Sequence, residues 1–515
     1  MPVGPRALFR LARAGYVLAR EGVLTLVPPP EPVPGIVRFG LALAKFIQRP
    51  SAGRRDRTQR LTRALNRLGP SYVKLGQFLA TRPDVVGAEM AADLAALQDQ
   101  VPPFGDAAAR AVIASALGRP VEALYRAFSP PIAAASIAQV HQAEVSDPEL
   151  GRRIVAVKVL RPGVAERFAR DLEGFYLGAR LIERMSRRTR RLRPVAVVDT
   201  LARSIALEMD LRLEAAALSE MAENTAGDPG FRVPVVDWRR TTKSVLTLEW
   251  VDGIKLSDRA GIDAAGIDRI ALARTVIQSF LRHAVRDGFF HADMHQGNLF
   301  VDRDGLLVPV DFGIMGRLGR RERRFLAEIL YGFITRDYAR VARVHFEAGY
   351  VPPRHDVATF AQALRAIGEP LQGQTAAEIS MGRLLNQLFE VTELFDMRTR
   401  PELILLQKTM VVVEGVARSL DPNLNLWRTA DPVVRGWIER NLGPRGFMDD
   451  VAVEIGALAR FARALPEFAE RMERRFSSDR YGEEGGRRWS DARRIAWPLW
   501  IGAAALVVMA LAAVF

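Results

Sequence analysis

The sequence predicts an α+β fold: a small strand-rich lobe, a larger helical lobe, a helical extension ahead of them and one apolar helix at the end. Three observations predict it. Apart from a short hairpin at Leu299–Val310, strand signals, runs of β-branched and apolar residues, lie in the stretch from Ile132 to Leu160 and at Ser244–Trp250. Helical spacing of apolar residues fills the chain before and after that zone. The last twenty-one residues, from Ile495 to Phe515, carry no charge, and a helix rising ~1.5 Å per residue needs about 20 such residues to cross a bilayer core.

Size and composition bound what these parts can do. A chain of 515 residues can bury at least two sizeable cores. It contains no cysteine, which excludes disulfides, thiolate metal sites and cysteine nucleophiles, and its six histidines leave little for a histidine-rich metal centre. The net charge of +14 points to an anionic partner. The runs Arg187–Arg193 and Arg320–Arg324 have no interleaved aromatics on which bases could stack. An anionic membrane lipid is therefore favoured over nucleic acid, the alternative being arginines on solvated faces.

In chain order, residues 1–57 form a basic, amphipathic segment with a surface helix ahead of the proline-rich break Pro28–Pro34. Residues 58–105 form a helical extension. Leu61, Leu65, Leu68, Val73, Leu75, Phe78 and Leu79 recur at three- and four-residue spacings, and Pro102-Pro103 closes it. Residues 106–255 make the strand-rich lobe. It starts with a helix at Ala107–Leu117, has strands at Ile154–Leu160 and Ser244–Trp250, and carries helical inserts at Val164–Arg188 and Val195–Asn224. Residues 256–440 are chiefly helical. Residues 441–494 form a helical segment with a flexible joint at Gly482–Gly486, and 495–515 a transmembrane helix. Trp489, Trp497 and Trp500 would mark its interface, and Arg487, Arg488, Arg493 and Arg494 its charged flank. A buried helix is the alternative. Arg20 and Glu21 interrupt the N-terminal apolar stretch and no cleavage site follows, so no secretory signal is read. The expectation is a single-pass C-terminal anchor in a bacterial cytoplasmic (inner) membrane, with the bulk of the chain in the cytoplasm.

The chemistry is concentrated at His291–Asn298 and Asp311-Phe312-Gly313. Asp293, an asparagine five residues on and an aspartate thirteen further are the parts of a phosphoryl-transfer site. One carboxylate accepts a proton or orients a nucleophile. Asn298 and Asp311 hold Mg²⁺ against ATP phosphates. The sequence places Asp293 and Asn298 on a loop, followed by a hairpin of Leu299–Val301 and Leu306–Val310 around Asp302–Gly305, with Asp311 just beyond it. Upstream, Ala156-Val157-Lys158 looks like a strand presenting a lysine to phosphates. Glu249-Trp250-Val251 ends the last strand with backbone groups placed for an adenine edge. This order is the protein-kinase-like bilobal layout.

Four motifs then resemble the UbiB-type atypical kinases, the quinone-biosynthesis relatives of protein kinases. Lys74-Leu75-Gly76-Gln77 matches their KxGQ motif. Ala133-Ala134-Ala135-Ser136, running on to His141, matches the alanine-rich loop that replaces the kinase glycine-rich loop. Glu208-Met209-Asp210 matches the ExD motif, and His291–Asn298 their catalytic loop. The match runs from about residue 58 to 320 without departure at the motif positions, although members often end in two membrane spans and this chain shows one. The resemblance implies that Lys158 contacts phosphate and pairs with Glu214. It also implies that Asp293 is the catalytic-loop carboxylate, and that Lys74 and Gln77, with Glu208 and Asp210, form a regulatory lid where a peptide would dock. Alanines lack the left-handed freedom of glycine, so the nucleotide loop should be stiffer. Asp210 and Glu214 fall one helical turn apart. Ala292 stands where many protein kinases have arginine, and no Ala-Pro-Glu follows Gly313.

The function so implied is that of a membrane-anchored atypical kinase or ATPase that uses ATP and Mg²⁺ to support ubiquinone biosynthesis. Its partners would be quinone precursors or the enzymes that modify them, with no nucleic acid. The sequence does not fix the oligomeric state, a homodimer included. The competing readings are a small-molecule phosphotransferase of the aminoglycoside or choline kinase type and a non-catalytic ATP-binding scaffold. The KxGQ helix, the alanine loop and the expected anchor argue against the first, and the retained Lys158, Asp293, Asn298 and Asp311 against the second. No Gly-x-Gly-x-x-Gly follows a strand and no metal-ligand cluster suits oxygen chemistry, so intrinsic hydroxylation is disfavoured.

Overall fold

Leu61, Ala64, Leu65 and Leu68 are the buried residues of one helix, and the first three pack with Val73 and Leu94. The helix is α3 (Arg57–Leu68), capped by Asp56, whose carboxylate accepts the Gln59 N–H at 2.7 Å. In the computed structural model, residues 5–26, 35–49, 56–80, 82–95, 102–147, 151–185, 193–372, 391, 394–397 and 401–442 are described. Ahead of α3 lie α1 (Pro5–Arg20) and α2 (Gly35–Ile47); after it come α4 (Pro70–Ala80), α5 (Pro83–Val86) and α6 (Ala88–Ala95). The extension is thus several short helices. Gly69 separates α3 from α4 with φ +107°, a conformation other residues rarely adopt.

The strand-rich lobe opens with α7 (Asp106–Leu117) and α8 (Val121–Leu124). Its antiparallel sheet has the order β1 (Ala127–Ala134), β2 (Ala138–Asp147), β3 (Gly151–Leu160), β4 (Val245–Glu249). Strand alternation decides the faces of β3. Val155, Val157 and Val159 are buried against Ile113 of α7, which leaves Lys158 on the opposite face. The inserts are α9 (Val164–Met185), α10 (Pro194–Glu208) and α11 (Leu211–Thr225). The single helix expected over Val195–Asn224 is broken at Met209-Asp210. The Asp210 carboxylate takes the Arg212 N–H (3.1 Å) as an N-cap, and Leu211 N–H crosses to the Lys243 carbonyl (2.9 Å).

The helical lobe contains α12 (Arg259–Ala264), α13 (Arg269–Arg282) with a π turn at His283–Asp287, α14 (Arg320–Thr335), α15 (Tyr338–Glu347), α16 (Val357–Gln372), α17 (Pro401–Leu420) and α18 (Leu426–Asn441). Between them, β5 (Gly253–Lys255), β7 (Leu299–Asp302) and β8 (Leu307–Pro309) form one sheet, and β6 (Phe289–His291) pairs with β9 (Met315–Arg317). The expected hairpin is present, with Leu299 opposite Pro309 and Val301 opposite Leu307. Asp302 closes its turn by accepting Asp304 and Leu306 N–H at 3.1 and 2.9 Å. One core runs through both lobes, from Phe168 and Leu211 to Phe280, Phe290, Phe312 and Val413.

The C-terminal expectation needs correction. No helix among the described residues is long and apolar enough to cross a membrane. The twenty-residue α17, for one, is interrupted by Glu402, Lys408, Glu414 and Arg418. The membrane placement, with a single-pass anchor at 495–515, is therefore withdrawn; those residues, like most of 441–494, lie outside the described ones. Chain contacts separate Met1–Ile438 from a second unit, Glu439–Phe515.

Four histidines, His141, His283, His291 and His345, have pKa values lowered by burial. The unfolded chain takes up their protons below its ordinary histidine pKa of about 6.5, so stability falls as pH drops through that value. Glu214, raised to about 7 chiefly by burial, and Glu414, also raised by burial, bind protons in the folded state and oppose this, but as two groups against four. The urea midpoint is expected to fall between about pH 7 and about pH 5. A flat or rising midpoint would refute the assignment of these histidines as neutral.

Candidate active site

Lys158 leaves the cleft face of β3 and meets two carboxylates. Its Nζ lies 2.7 and 3.0 Å from the oxygens of Glu214 and 3.1 Å from Asp311 Oδ1. The three come from β3, α11 and the segment after β8, 153 residues apart at the extremes. Lys158 and Glu214 are 15% and 7% exposed, whereas the Asp311 carboxylate is 43% exposed. Glu214 also accepts the Phe312 N–H (3.3 Å), and Asp311 the Gly313 N–H (3.1 Å). Burial would favour a neutral Lys158, yet Asp311 and Glu214 hold its pKa above the ordinary lysine value. Burial pushes Glu214 up, reinforced by the Asp311 charge and opposed by Lys158. Burial would raise Asp311 too, but Lys158 and the Gly313 N–H hold it far below the usual carboxylate range. Of the two carboxylates, Asp311, the member open to the cleft, holds its negative charge the more firmly.

The loop expected to be catalytic, His291–Asn298, is braced from behind. Buried His291 accepts the Asp293 N–H at Nδ1 (3.0 Å), and Asn298 Nδ2 donates to the Asp293 carbonyl (3.3 Å), which leaves the Asn298 amide oxygen for another ligand. His295 Nε2 stands 3.6 Å from the Asp293 carboxylate. Two residues that the sequence did not single out hold the loop from α17. Thr409 Oγ1 donates to the Ala292 carbonyl (3.1 Å), and Ser419 Oγ accepts from Gln296 Nε2 (2.6 Å). A threonine and a serine at helical spacing carry no signal of their own, so only the fold reveals them.

The alanine run is narrower than a loop. Ala133 and Ala134 are strand residues paired with Val140 and Gln139, and the turn itself is Ala135–Ile137, with Ser136 buried. The hairpin register decides this. A glycine at Ala134 would consequently act on a paired strand rather than on the turn. Arg161, also not foreseen, fastens the turn. Its guanidinium donates to the Ala135 carbonyl (3.0 and 2.9 Å) and to the Pro102 carbonyl (2.8 Å). Phe104 N–H reaches Gln139 Oε1 of β2 at 2.9 Å.

At the lobe boundary, Glu249 is already engaged. Its N–H bonds the Val235 carbonyl (2.8 Å), and its carboxylate takes Arg232 (2.9 Å) and the Val235 N–H (3.1 Å). Of the backbone groups expected to meet an adenine edge, the Glu249 N–H is thus taken by the Phe231–Val236 segment.

Lys74 and Gln77 sit one turn apart on α4, and Lys74 Nζ meets Glu208 at 2.6 Å with 15% and 9% of the two side chains exposed. The structure joins the KxGQ and ExD motifs through this pair. Asp210 does not share a face with Glu214: it caps α11 and pairs with Arg212, while Glu214 turns inward. Lys74→Ala should cost ~1–3 kcal/mol, because it leaves Glu208 nearly buried without its cation. Lys74→Ala with Glu208→Ala should recover part of that cost. Additive losses across this cycle, measured by urea unfolding, would remove the pair.

The donor set suits Mg²⁺ bound with a nucleotide. Among the described residues no group of three or more acidic or histidine side chains could cage a metal. Mg²⁺ retains waters and typically takes one or two protein oxygens plus substrate phosphates, which Asn298 and Asp311 can supply.

A family model described as the ABC1 atypical kinase-like domain matches residues 96–345, and one described as the UbiB helical domain matches 364–425. The second match contains Thr409 and Ser419. A Marinobacter nauticus protein named Probable protein kinase UbiB is 41% identical over 466 residues, 89% of this chain and 84% of its own length. A protein of the same name from Aeromonas hydrophila is 38% identical over 472 residues, 90% of this chain and 85% of its own. A solved structure titled as the Rv3197-erythromycin complex from Mycobacterium tuberculosis has a TM-score of 0.47 at 23% identity, covering 71% of this chain and 91% of that one.

Proposed function

This chain belongs to the UbiB family of atypical kinase-like proteins, and from that membership we propose that it binds Mg²⁺ and ATP and turns ATP over in support of ubiquinone biosynthesis. The observation that carries the nucleotide part is the Lys158–Glu214–Asp311 triad, a charged lysine positioned by one buried acid beside a second that stays ionised. The quinone part rests on family membership alone. It acts with quinone precursors or the enzymes that modify them.

In this reading Lys158 contacts phosphate oxygens, and Glu214 fixes its position. Asp311 and Asn298 would hold Mg²⁺, which supplies charge neutralisation to the phosphates when bound. Asp293, steadied through His291 and Asn298, orients the attacking hydroxyl or water and accepts its proton. Ala133–Ser136 border the phosphates, with the turn held by Arg161. Lys74 and Gln77 restrict the acceptor side, so proteins in general are not the substrates.

The test is ATP turnover by the full chain, with and without Mg²⁺ and a phenolic quinone precursor, alongside quinone content in a strain lacking the native protein. Mg²⁺-dependent turnover stimulated by the phenol, with restored quinone content, is the expected result. No ATP turnover under any of these conditions would overturn the enzymatic reading; turnover without restored quinone would overturn the quinone role.

A further inference from the structure

Outside the cleft, a cavity of about 350 Å³ lies where α1, the α3–α4 turn and α9 meet. Its lining is Arg10 and Arg13 of α1, Leu68 and Tyr72 beside the turn, and Arg167, Arg170 and Asp171 of α9. Four arginines and one aspartate therefore line the space; Arg13, Arg167 and Arg170 are exposed to solvent, and Arg10 also donates to the Arg170 carbonyl. Glu173 pairs with Arg10 at 3.1 Å, and Arg167 Nη2 donates to the Leu68 carbonyl at 3.2 Å. The four arginines carry like charge that they cannot relieve by shedding protons, so the space favours an anion. Their forked donors match tetrahedral oxyanions. The volume lies within the range of roughly 300–1,000 Å³ that holds small ligands.

We propose that this cavity binds a phosphate or pyrophosphate group, presented either free or on a lipid headgroup. Arg13 and Arg170 meet the anion directly, with Arg10 and Arg167 flanking it. The Tyr72 hydroxyl adds a neutral donor: burial and the Asp171 charge push its pKa to about 12, so it keeps its proton. The ring is fixed edge-on against Phe175 at 4.9 Å. Gly69 makes the close approach of Arg167 feasible, since a Cβ there would lie 2.0 Å from Arg167 Nη2. An anion in the cavity ties α1 and α9 to the first turn of α4, the helix that presents Lys74 to Glu208. The site lies apart from the nucleotide cleft and does not depend on ATP turnover.

The experiment uses the full chain and the variant Arg13→Glu/Arg170→Glu, titrated calorimetrically with inorganic pyrophosphate. In parallel, both are floated with phosphatidylcholine vesicles with and without phosphatidic acid. Both proteins share the cleft, so any binding event lost in the variant belongs to the cavity. Pyrophosphate binding weakened at least about tenfold assigns a free phosphate. Binding confined to the phosphatidic acid vesicles, and lost in the variant, assigns a headgroup phosphate. Equal behaviour of the two proteins with both probes, or no binding of either probe by the wild type, overturns the site. If the double variant has a collapsed melting transition, Arg13→Gln on the exposed face of α1 repeats the comparison, with the same outcomes deciding.

Discussion

Lys158→Met is expected to lower ATP turnover by about 10²–10³-fold, the usual cost of removing a preorganised charge-stabilising donor. It should also destabilise the protein, with a pH signature that a simple packing defect lacks. Without the ammonium, Glu214 and Asp311 are two carboxylates in one small site, and breaking a buried ion pair costs ~3–5 kcal/mol. Glu214, already raised to about 7, relieves the clash by taking up a proton. The loss in urea stability relative to wild type should therefore be larger near about pH 8 than near about pH 6. An equal loss at both values would mean that Glu214 is not coupled to Lys158. Turnover near the wild-type level would place the phosphate-binding cation elsewhere.

Asp311→Asn is expected to abolish the Mg²⁺-dependent part of nucleotide binding while leaving the fold intact. The substitution keeps the shape and an oxygen for the Gly313 N–H but removes the charge that stays on this residue. Fold stability should change little, since the Asp311 carboxylate opens to the cleft and Glu214 still pairs with Lys158. Thermal shift with ATP, with and without Mg²⁺, makes the comparison. Full Mg²⁺·ATP stabilisation of the variant would take Asp311 out of the metal site.

Much of the site was legible in one dimension because its chemistry is encoded in short, rigid segments. Asp293 and Asn298 share one loop, Asp311 follows a hairpin whose turn Asp302 specifies locally, and the alternation of β3 puts Lys158 opposite Val157 and Val159. The resemblance grouped the KxGQ and ExD motifs in one lid, but the ion pair that joins them was not legible, since Lys74 and Glu208 lie on helices far apart in sequence. The break at Met209-Asp210 was hidden because apolar spacing continues across it, and an aspartate on a solvated helix face is tolerated although it is a better cap. The apolar run at 495–515 was misjudged as a determinant of location, because hydropathy alone does not fix where a segment lies.

The sequence by itself determined the kind of protein this is: the order of lobes, the family, and the acids, amide and lysine available for phosphoryl chemistry. Periodicity and motif spacing act over a few residues, and that is the range over which a sequence can be read. Only the tertiary structure decided how those groups are charged and held. Burial and the meeting of β3, α11 and the Asp311 segment set which carboxylate keeps its negative charge. Contacts from α17 and Arg161 set where the catalytic loop and the alanine turn stand. A pKa depends on solvent exclusion and on charges within a few ångströms, and both are products of chain crossings that no local pattern contains.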